Sequence, residues 1–301
     1  MRAQNKKLLK PNKWTPYLLI SPVVALIAVF LFYPVINIFW YSLFRYNFAK
    51  PRVNGFAGLE NFVNVFTQDT IFWGSLWVSI KWVAYTVSLQ LLFGMLLALA
   101  LYRKFRGQGA VRTILFSPWA VSGILVSMLW VLLTNENMGF INSFMMDIGL
   151  WQKGIAWTGN VKTVFAAIVS AEVWRGLPFF IIILLAALQS IPLEMFDSAR
   201  VDGANSFRIF YSITLPYLKS TIVYSTLLRI IWEFNNVDVI YVITKGGPAN
   251  RTLSLAMYTI NQAIKAGEFG YGAALNVVSF VIMLVFILIY LKATKYGQGV
   301  E

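Results

Sequence analysis

"DSARVDGANSFRIFYSITLP", residues 197–216, is the stretch on which the fold turns. It carries Asp197, Arg200, Asp202 and Arg208 in a chain that is 58% hydrophobic. So many charges in so short a run make it too polar to cross a bilayer. Its Phe, Ala and Ile residues at helical spacing make it too apolar for a plain linker. It reads as a half-polar helical segment held between two apolar ones.

The surroundings set the class. The chain has 301 residues, of which 12% are charged and 16% aromatic, and its mean hydropathy is +0.67. Soluble globular domains lie well below that hydropathy and well above that charge content. Uncharged runs extend from Trp14 to Phe44, from Thr113 to Asn135 and from Phe269 to Leu291. Each reaches the roughly 20 residues that a helix needs to cross a hydrocarbon core of about 30 Å. Three further apolar segments carry a few charges: 73–102 with Lys81, 162–190 with Glu172 and Arg175, and 219–244 with Arg229, Glu233 and Asp238. Lipid offers no hydrogen bonds, so only helices or closed barrels span it, and runs this long exclude barrel strands. The expectation is an all-α polytopic membrane protein of six transmembrane helices. The first run is about twice the length of a signal core, and no small-residue cleavage pattern follows it, so it reads as a span.

Cysteine and histidine are both absent. Thiol chemistry, histidine proton relays and the commonest metal ligand are therefore excluded, and no metal site is expected. The net charge of +13 invites a nucleic-acid partner, but its placement marks topology instead. The tail 1–13 holds Arg2, Lys6, Lys7, Lys10 and Lys13 without an acid, and the turn after the second span holds Arg103, Lys104, Arg106 and Arg112. With six spans these fall on the same side as 191–218, Lys292 and Lys295. The positive-inside rule puts that side, with both termini, in the cytoplasm.

The segment 191–218 is thus a cytoplasmic loop, much longer than a helix–helix turn needs. "PLEMFDSARVDGA" reads as a short amphipathic helix, with Phe196, Ala199 and Ala204 beneath the polar Glu194, Arg200 and Asp202. Gly203 closes it, "NSFRIFYSITL" adds a second short helical piece, and Pro216 starts the next span. An amphipathic helix resting on lipid headgroups is the plain alternative. The mixture of acids and bases, with no basic face, counts against it.

The same stretch resembles the coupling-loop signature of permeases of binding-protein-dependent ABC importers: E-A-A, three residues, G, nine residues, I-x-L-P. Asp197-Ser198-Ala199, Gly203, Ile213 and Leu215-Pro216 keep every interval. Asp197 stands for Glu and Ser198 for the first Ala. "FNNVDVIYVITKGGPANRT", 234–252, and "EFGYGAALNVVSFVIML", 268–284, are similar to carbohydrate-uptake permeases of the kind represented by the larger maltose-transporter permease and the first glycerol-phosphate permease. So is the first span, and the likeness is weakest over 135–161. The resemblance implies a type I importer permease fold, with a basic tail 1–13, a permease domain 14–301 and a core of about 70–293. It implies that Glu194, Asp197, Ser198, Ala199, Asp202, Gly203, Ala204, Leu215 and Pro216 form a coupling helix and loop. That loop would dock on an ATP-hydrolysing subunit and convert its closure into movement of the spans. Implied partners are two such subunits, a second six-span permease in a heterodimer, and an extracytoplasmic solute-binding protein, in the cytoplasmic membrane of a bacterium or archaeon. The chain would be no enzyme and bind no cofactor, with ATP and Mg²⁺ held by the partner. No G-x-x-x-x-G-K-[ST] phosphate loop occurs in it.

Charges inside spans are costly and face partners or a water-filled cavity. Glu172 and Arg175 are three apart, and Arg229 and Glu233 four apart, so each pair can share a helix face. Ser225, Arg229, Trp232, Glu233 and Asn236 follow at steps that place them along one side of the fifth span. An indole stacks on the apolar face of a sugar, while amides, carboxylates and guanidinium groups bond its hydroxyls. The resemblance adds that the maltose-type permease contacts its sugar from this part of the fifth span. Arg229, Trp232, Glu233, Asn236, Glu172 and Arg175 are therefore the candidate substrate residues; structural salt bridges are the alternative for each charged pair. Lys81 reads as a snorkelling side chain. The expected activity is import of a sugar or oligosaccharide by alternating access. Arg175 and Arg229 keep open an anionic solute of glycerol-phosphate type or an acidic oligosaccharide. A secondary transporter acting alone would call for inverted repeats and a buried ion-binding carboxylate, and only Glu172 and Glu233 suit it.

Overall fold

The computed structural model describes residues 13–294. The basic residues Arg2, Lys6, Lys7, Lys10 and Lys295 lie outside them. The described part begins with a helix in two parts, α1 (Thr15–Ile27) and α2 (Tyr33–Ser42), joined by a π turn at Ala28–Phe32. A two-stranded ribbon follows, β1 (Phe44–Arg45) against β2 (Gly55–Phe56), and then α3 (Glu60–Thr67). Next come α4 (Thr70–Tyr102), α5 (Gln108–Phe116), α6 (Gly123–Leu133), α7 (Phe140–Asp147) and α8 (Val164–Gln189). The loop helices are α9 (Leu193–Val201) and α10 (Ser206–Ile209). The chain closes with α11 (Leu215–Asn235), α12 (Asp238–Ile243), α13 (Leu255–Ile260) and α14 (Phe269–Ala293).

Among the described residues four helices are long and apolar enough to cross a membrane: Thr15–Ser42, α4, α8 and α14. The third expected span is not one straight helix. Gln108–Ala120 and Gly123–Leu133 meet at 104°, so the uncharged run from Thr113 to Asn135 contains a corner. Pro118, which has no N–H to give, sits in a 3₁₀ turn at Ser117–Ala120, and Val121 and Ser122 are extended. The fifth expected span is also interrupted. α11, with 21 residues, is about 31 Å long at 1.5 Å per residue, and it ends at Asn235. Asn236 is extended, and its side-chain oxygen accepts from the Asp238 N–H at 3.1 Å to open α12. Asn236 therefore lies beyond the helix on which the sequence pattern had placed it.

Two apolar clusters hold the bundle. One joins Phe72, Trp82, Ile168, Phe234, Ile240, Leu255 and Leu275. The other joins Leu101, Phe180, Leu184, Leu188, Phe196 and Leu218, so the core continues from α4 and α8 into the loop helix α9. α4 and α8 form the most extensive pairing, α11 packs against both, and α6 packs on α12. On the side opposite the 191–218 loop, Asp69 caps α4 by accepting from the N–H groups of Ile71 and Phe72. Its second oxygen accepts from the hydroxyls of Tyr258 at 2.7 Å and Tyr271 at 2.5 Å, which ties α4 to α13 and α14. Asn142 does comparable work in the 134–163 loop, bonding the backbone of Ile155 both ways and accepting from the Trp157 indole.

Candidate functional site

Two regions carry the chemistry, and the first is the 191–218 loop. α9 buries Phe196, whose ring lies 6.2 Å from that of Tyr102 at the end of α4. Ala199 and Ala204 are half-buried, while Glu194, Asp197, Ser198, Arg200 and Asp202 are exposed. The helix closes through Gly203 N–H to Arg200 O at 3.0 Å and Ala204 N–H to Ala199 O at 2.9 Å. Gly203 has φ +77°, a backbone state that strains any side chain, yet a Cβ there would meet nothing within 4 Å. Asn205 then caps α10 by accepting from the Arg208 N–H. From Ser206 the chain is helical without a break into α11, through a π turn at Phe210–Thr214. That widened turn stands just ahead of Pro216, as the one at Ala28–Phe32 stands ahead of Pro34, and lets a helix pass a residue that lacks an N–H. Pro216 thus lies inside a longer helix rather than at its start. The loop also exposes large apolar side chains: Leu193 is 66% accessible, Phe207 71% and Val201 88%. Exposed apolar side chains of this kind mark surfaces that meet a protein partner or a membrane.

The second region is a polar network buried among α4, α8 and α11. Glu172 on α8 is fully buried, and Arg229 and Glu233 on α11 are 5% and 1% exposed. The Arg229 Nη2 donates to Glu172 Oε1 at 2.9 Å and stands 2.6 Å from Glu233 Oε1. Arg175 donates to both oxygens of Glu172 from Nε and Nη2, each at 2.9 Å. Two guanidinium groups thus meet two carboxylates, so the burial of charge is compensated on the spot. Gln90 of α4, which no charge pattern singles out, completes the arrangement. Its side-chain oxygen accepts from Arg229 Nε–H at 2.7 Å, and its amide nitrogen donates to the backbone carbonyl of Glu172 at 2.9 Å. Trp82, also on α4, donates its indole N–H to the Glu233 carbonyl at 3.1 Å. Gly176 makes the crossing possible: a Cβ there would fall 2.0 Å from Arg229 Nη2 and 2.3 Å from Gln90 Nε2.

The structure thus brings Glu172, Arg175, Arg229 and Glu233 into one cluster and sets Trp232 apart from it. Ser225, Arg229 and Glu233 share the buried face of α11, whereas Trp232 is 48% exposed and packs against Phe179 with ring centroids 5.3 Å apart. Asn236 adjoins the cluster through a long contact, Nδ2 to Glu233 Oε2 at 3.4 Å. The Arg175 side chain is 21% accessible, and it is the cluster's charged group with the most access from outside. Of the six candidates, Trp232, Asn236 and the edge of Arg175 are therefore the ones that keep accessible surface in this conformation. Lys81 holds its ammonium over the rings of Trp77, at 5.9 Å, and Phe165, at 5.5 Å, in an aromatic setting rather than a polar pocket. Among the described residues no three His, Cys, Asp or Glu side chains group to hold a metal ion.

Comparison with known proteins gives the family. The family described as "Binding-protein-dependent transport system inner membrane component" matches residues 90–293. The trehalose/maltose transport system permease protein MalF of Thermococcus litoralis is 36% identical over 282 residues, 94% of each chain. The sulfoquinovosyl glycerol transport system permease protein SmoG of Agrobacterium fabrum is 31% identical, over 98% of this chain and 97% of that one. A chain of a bacterial ABC transporter involved in import of the acidic polysaccharide alginate superposes with a TM-score of 0.82 at 21% identity, over 95% and 96% of the two chains.

Proposed function

The chain belongs to the family of binding-protein-dependent transport system inner membrane components, and from that premise we propose that it forms half of the membrane pathway of a sugar or oligosaccharide importer. In this proposal a second six-span permease supplies the other half. Two separate subunits hydrolyse ATP, and an extracytoplasmic binding protein delivers the solute. Both termini and the 191–218 loop face the cytoplasm, as the arginine and lysine placement indicates. The chain itself performs no hydrolysis.

The observation that carries the proposal is the shape of the loop. α9 is anchored to the core by Phe196 and closed by Gly203, and the loop leaves Leu193 and Val201 of α9 and Phe207 of α10 largely exposed among the described residues. Glu194, Asp197, Ser198, Asp202 and Gly203 line the exposed side, while Ala199, Ala204 and Leu215 face inward and Pro216 lies at the exit into α11. Because α9 lies in the loop that joins α8 to α11, a push from an ATPase that closes on ATP reaches two of the three helices of the buried network. They then expose a site near mid-membrane first to one side and then to the other, which is alternating access.

At that site Trp232 supplies a stacking face, and Asn236 and Arg175 supply hydrogen bonds. Glu172, Arg229 and Glu233 back them from within and would come into solute contact as the helices part. Pairing of both arginines with carboxylates favours a neutral sugar over an anion. The exposed edge of Arg175 sustains a second possibility, an acidic saccharide, and one relative's name includes the sulfoquinovosyl glycerol that it transports.

The test is uptake by proteoliposomes that hold this chain with its cognate permease, ATPase and binding protein. Trehalose, maltose, sulfoquinovosyl glycerol and alginate oligosaccharides form the panel. ATP-dependent accumulation of a neutral disaccharide is the expected result. Accumulation of only the acidic compounds selects the second possibility, and uptake by this chain without an ATPase contradicts the proposal.

A further inference from the structure

Gln90 carries no charge, yet it bonds the buried ion cluster through its side chain and is fully enclosed. Both ends of its amide are engaged, with Arg229 Nε–H and with the Glu172 backbone carbonyl. The guanidinium it holds has a second neighbour. The Arg229 Cζ lies 5.8 Å from the centroid of the Phe179 ring, within the range of a cation–π contact. Phe179, 5% exposed, packs in turn on Trp232. A line of contact therefore runs from Gln90 on α4, through Arg229 on α11 and Phe179 on α8, to the exposed indole.

We infer that Gln90 is a positioning residue for the solute site, acting through Arg229 and Phe179 to fix the angle at which Trp232 is presented. The inference rests on Trp232 as the stacking platform of the importer proposed above. Arg229 is charge-paired whether or not Gln90 is present, but both ion pairs meet it at one nitrogen, Nη2, and so leave the tilt of the guanidinium plane about that point unset. The directed bond at Nε removes that freedom, because a planar guanidinium held at Nε and Nη2 has one orientation. Gly176, which lacks a side chain, is what lets Arg229 and Gln90 lie this close to α8. A face-to-face stack on a sugar ring depends on the tilt of the indole, so loss of this bond weakens stacking without removing any charge.

The readout is the amount of labelled sugar, the one wild type takes up from the panel above, retained per assembled complex after trapping with ATP and vanadate. The variants are Gln90→Met, similar in length but without donor or acceptor, and Trp232→Ala. Gln90→Met is expected to raise the half-saturating sugar concentration roughly fivefold, in line with one interior hydrogen bond, at an unchanged plateau per complex. Trp232→Ala is expected to raise it at least as much. An unchanged concentration in Gln90→Met, with a raised one in Trp232→Ala, overturns the inference and leaves the site reading intact. An unchanged concentration in Trp232→Ala sinks the site reading itself. If Gln90→Met does not assemble, Gln90→Asn, one methylene too short to reach Arg229, is measured in the same way. Failure of both to assemble assigns Gln90 to folding alone and also overturns the inference.

Discussion

Arg229 joins the interior of three helices, because it touches Glu172, Glu233, Gln90 and the face of Phe179. Removing one member of a buried ion cluster leaves its partners uncompensated, an effect of about 3–5 kcal/mol. Arg229→Ala is thus expected to lower the thermal stability of the purified complex sharply. Arg229→Ala combined with Glu233→Gln removes one charge of each sign and is expected to recover most of that loss, because Arg175 still neutralises Glu172. Equal melting temperatures for the single and double variants would show that Glu233 does not depend on Arg229. The sequence announced this cluster only in part. Charges at helical spacing inside apolar spans gave away Glu172, Arg175, Arg229 and Glu233. Gln90 stayed hidden because an uncharged amide in a long apolar helix leaves no trace in a charge pattern. Gly176 stayed hidden because its contribution is the absence of a side chain.

Among the elements, α9 and the turn that ends it give the sharpest expectation. Gly203 combines a left-handed backbone with open space, so a substitution acts through backbone strain and through whatever the partner places there. Asp at this position costs about 1 kcal/mol of local strain, too little to prevent insertion of the chain. It also adds a charge where the ATPase is proposed to dock. Gly203→Asp is expected to abolish uptake at normal membrane levels, while Gly203→Asn, which tolerates the left-handed state without charge, retains a substantial part. Equal loss in both would mean that strain alone matters; normal uptake in Gly203→Asp would remove the turn from the coupling path. α9 was legible in the sequence because amphipathic spacing, a closing glycine and a proline punctuate it. The corners in the third and fifth spans were not. Hydropathy registers whether a residue suits lipid and says nothing of the direction of the backbone, so the turn at Val121–Ser122 and the break at Asn236 lay inside runs that read as continuous. Asn236 thereby moved from a helix face to a helix junction, where its side chain caps α12.

For the whole molecule, the arrangement rests on the number of crossings between two surfaces. Lys104 and Arg251 are both exposed, on either side of three proposed crossings: α5 with α6, α8, and α11 with α12. In a chain that has no native cysteine, Lys104→Cys is expected to react with a membrane-impermeant maleimide only from the cytoplasmic side, and Arg251→Cys only from outside. Labelling of both from one side would require an even number of crossings between them and would break the topology.

The central claim is that motion enters this chain through α9. Val201, 88% exposed at the end of that helix, is the position to interrogate. Val201→Cys, the single cysteine of the chain, is to be joined by a short cleavable cross-linker to the ATPase in the assembled complex, and uptake measured before and after cleavage of the link. The expected result is a cross-linked permease–ATPase product, loss of ATP-dependent uptake while the link holds, and recovery once it is cut. A cysteine at Val201 that never joins the ATPase in a complex that transports normally would contradict the claim.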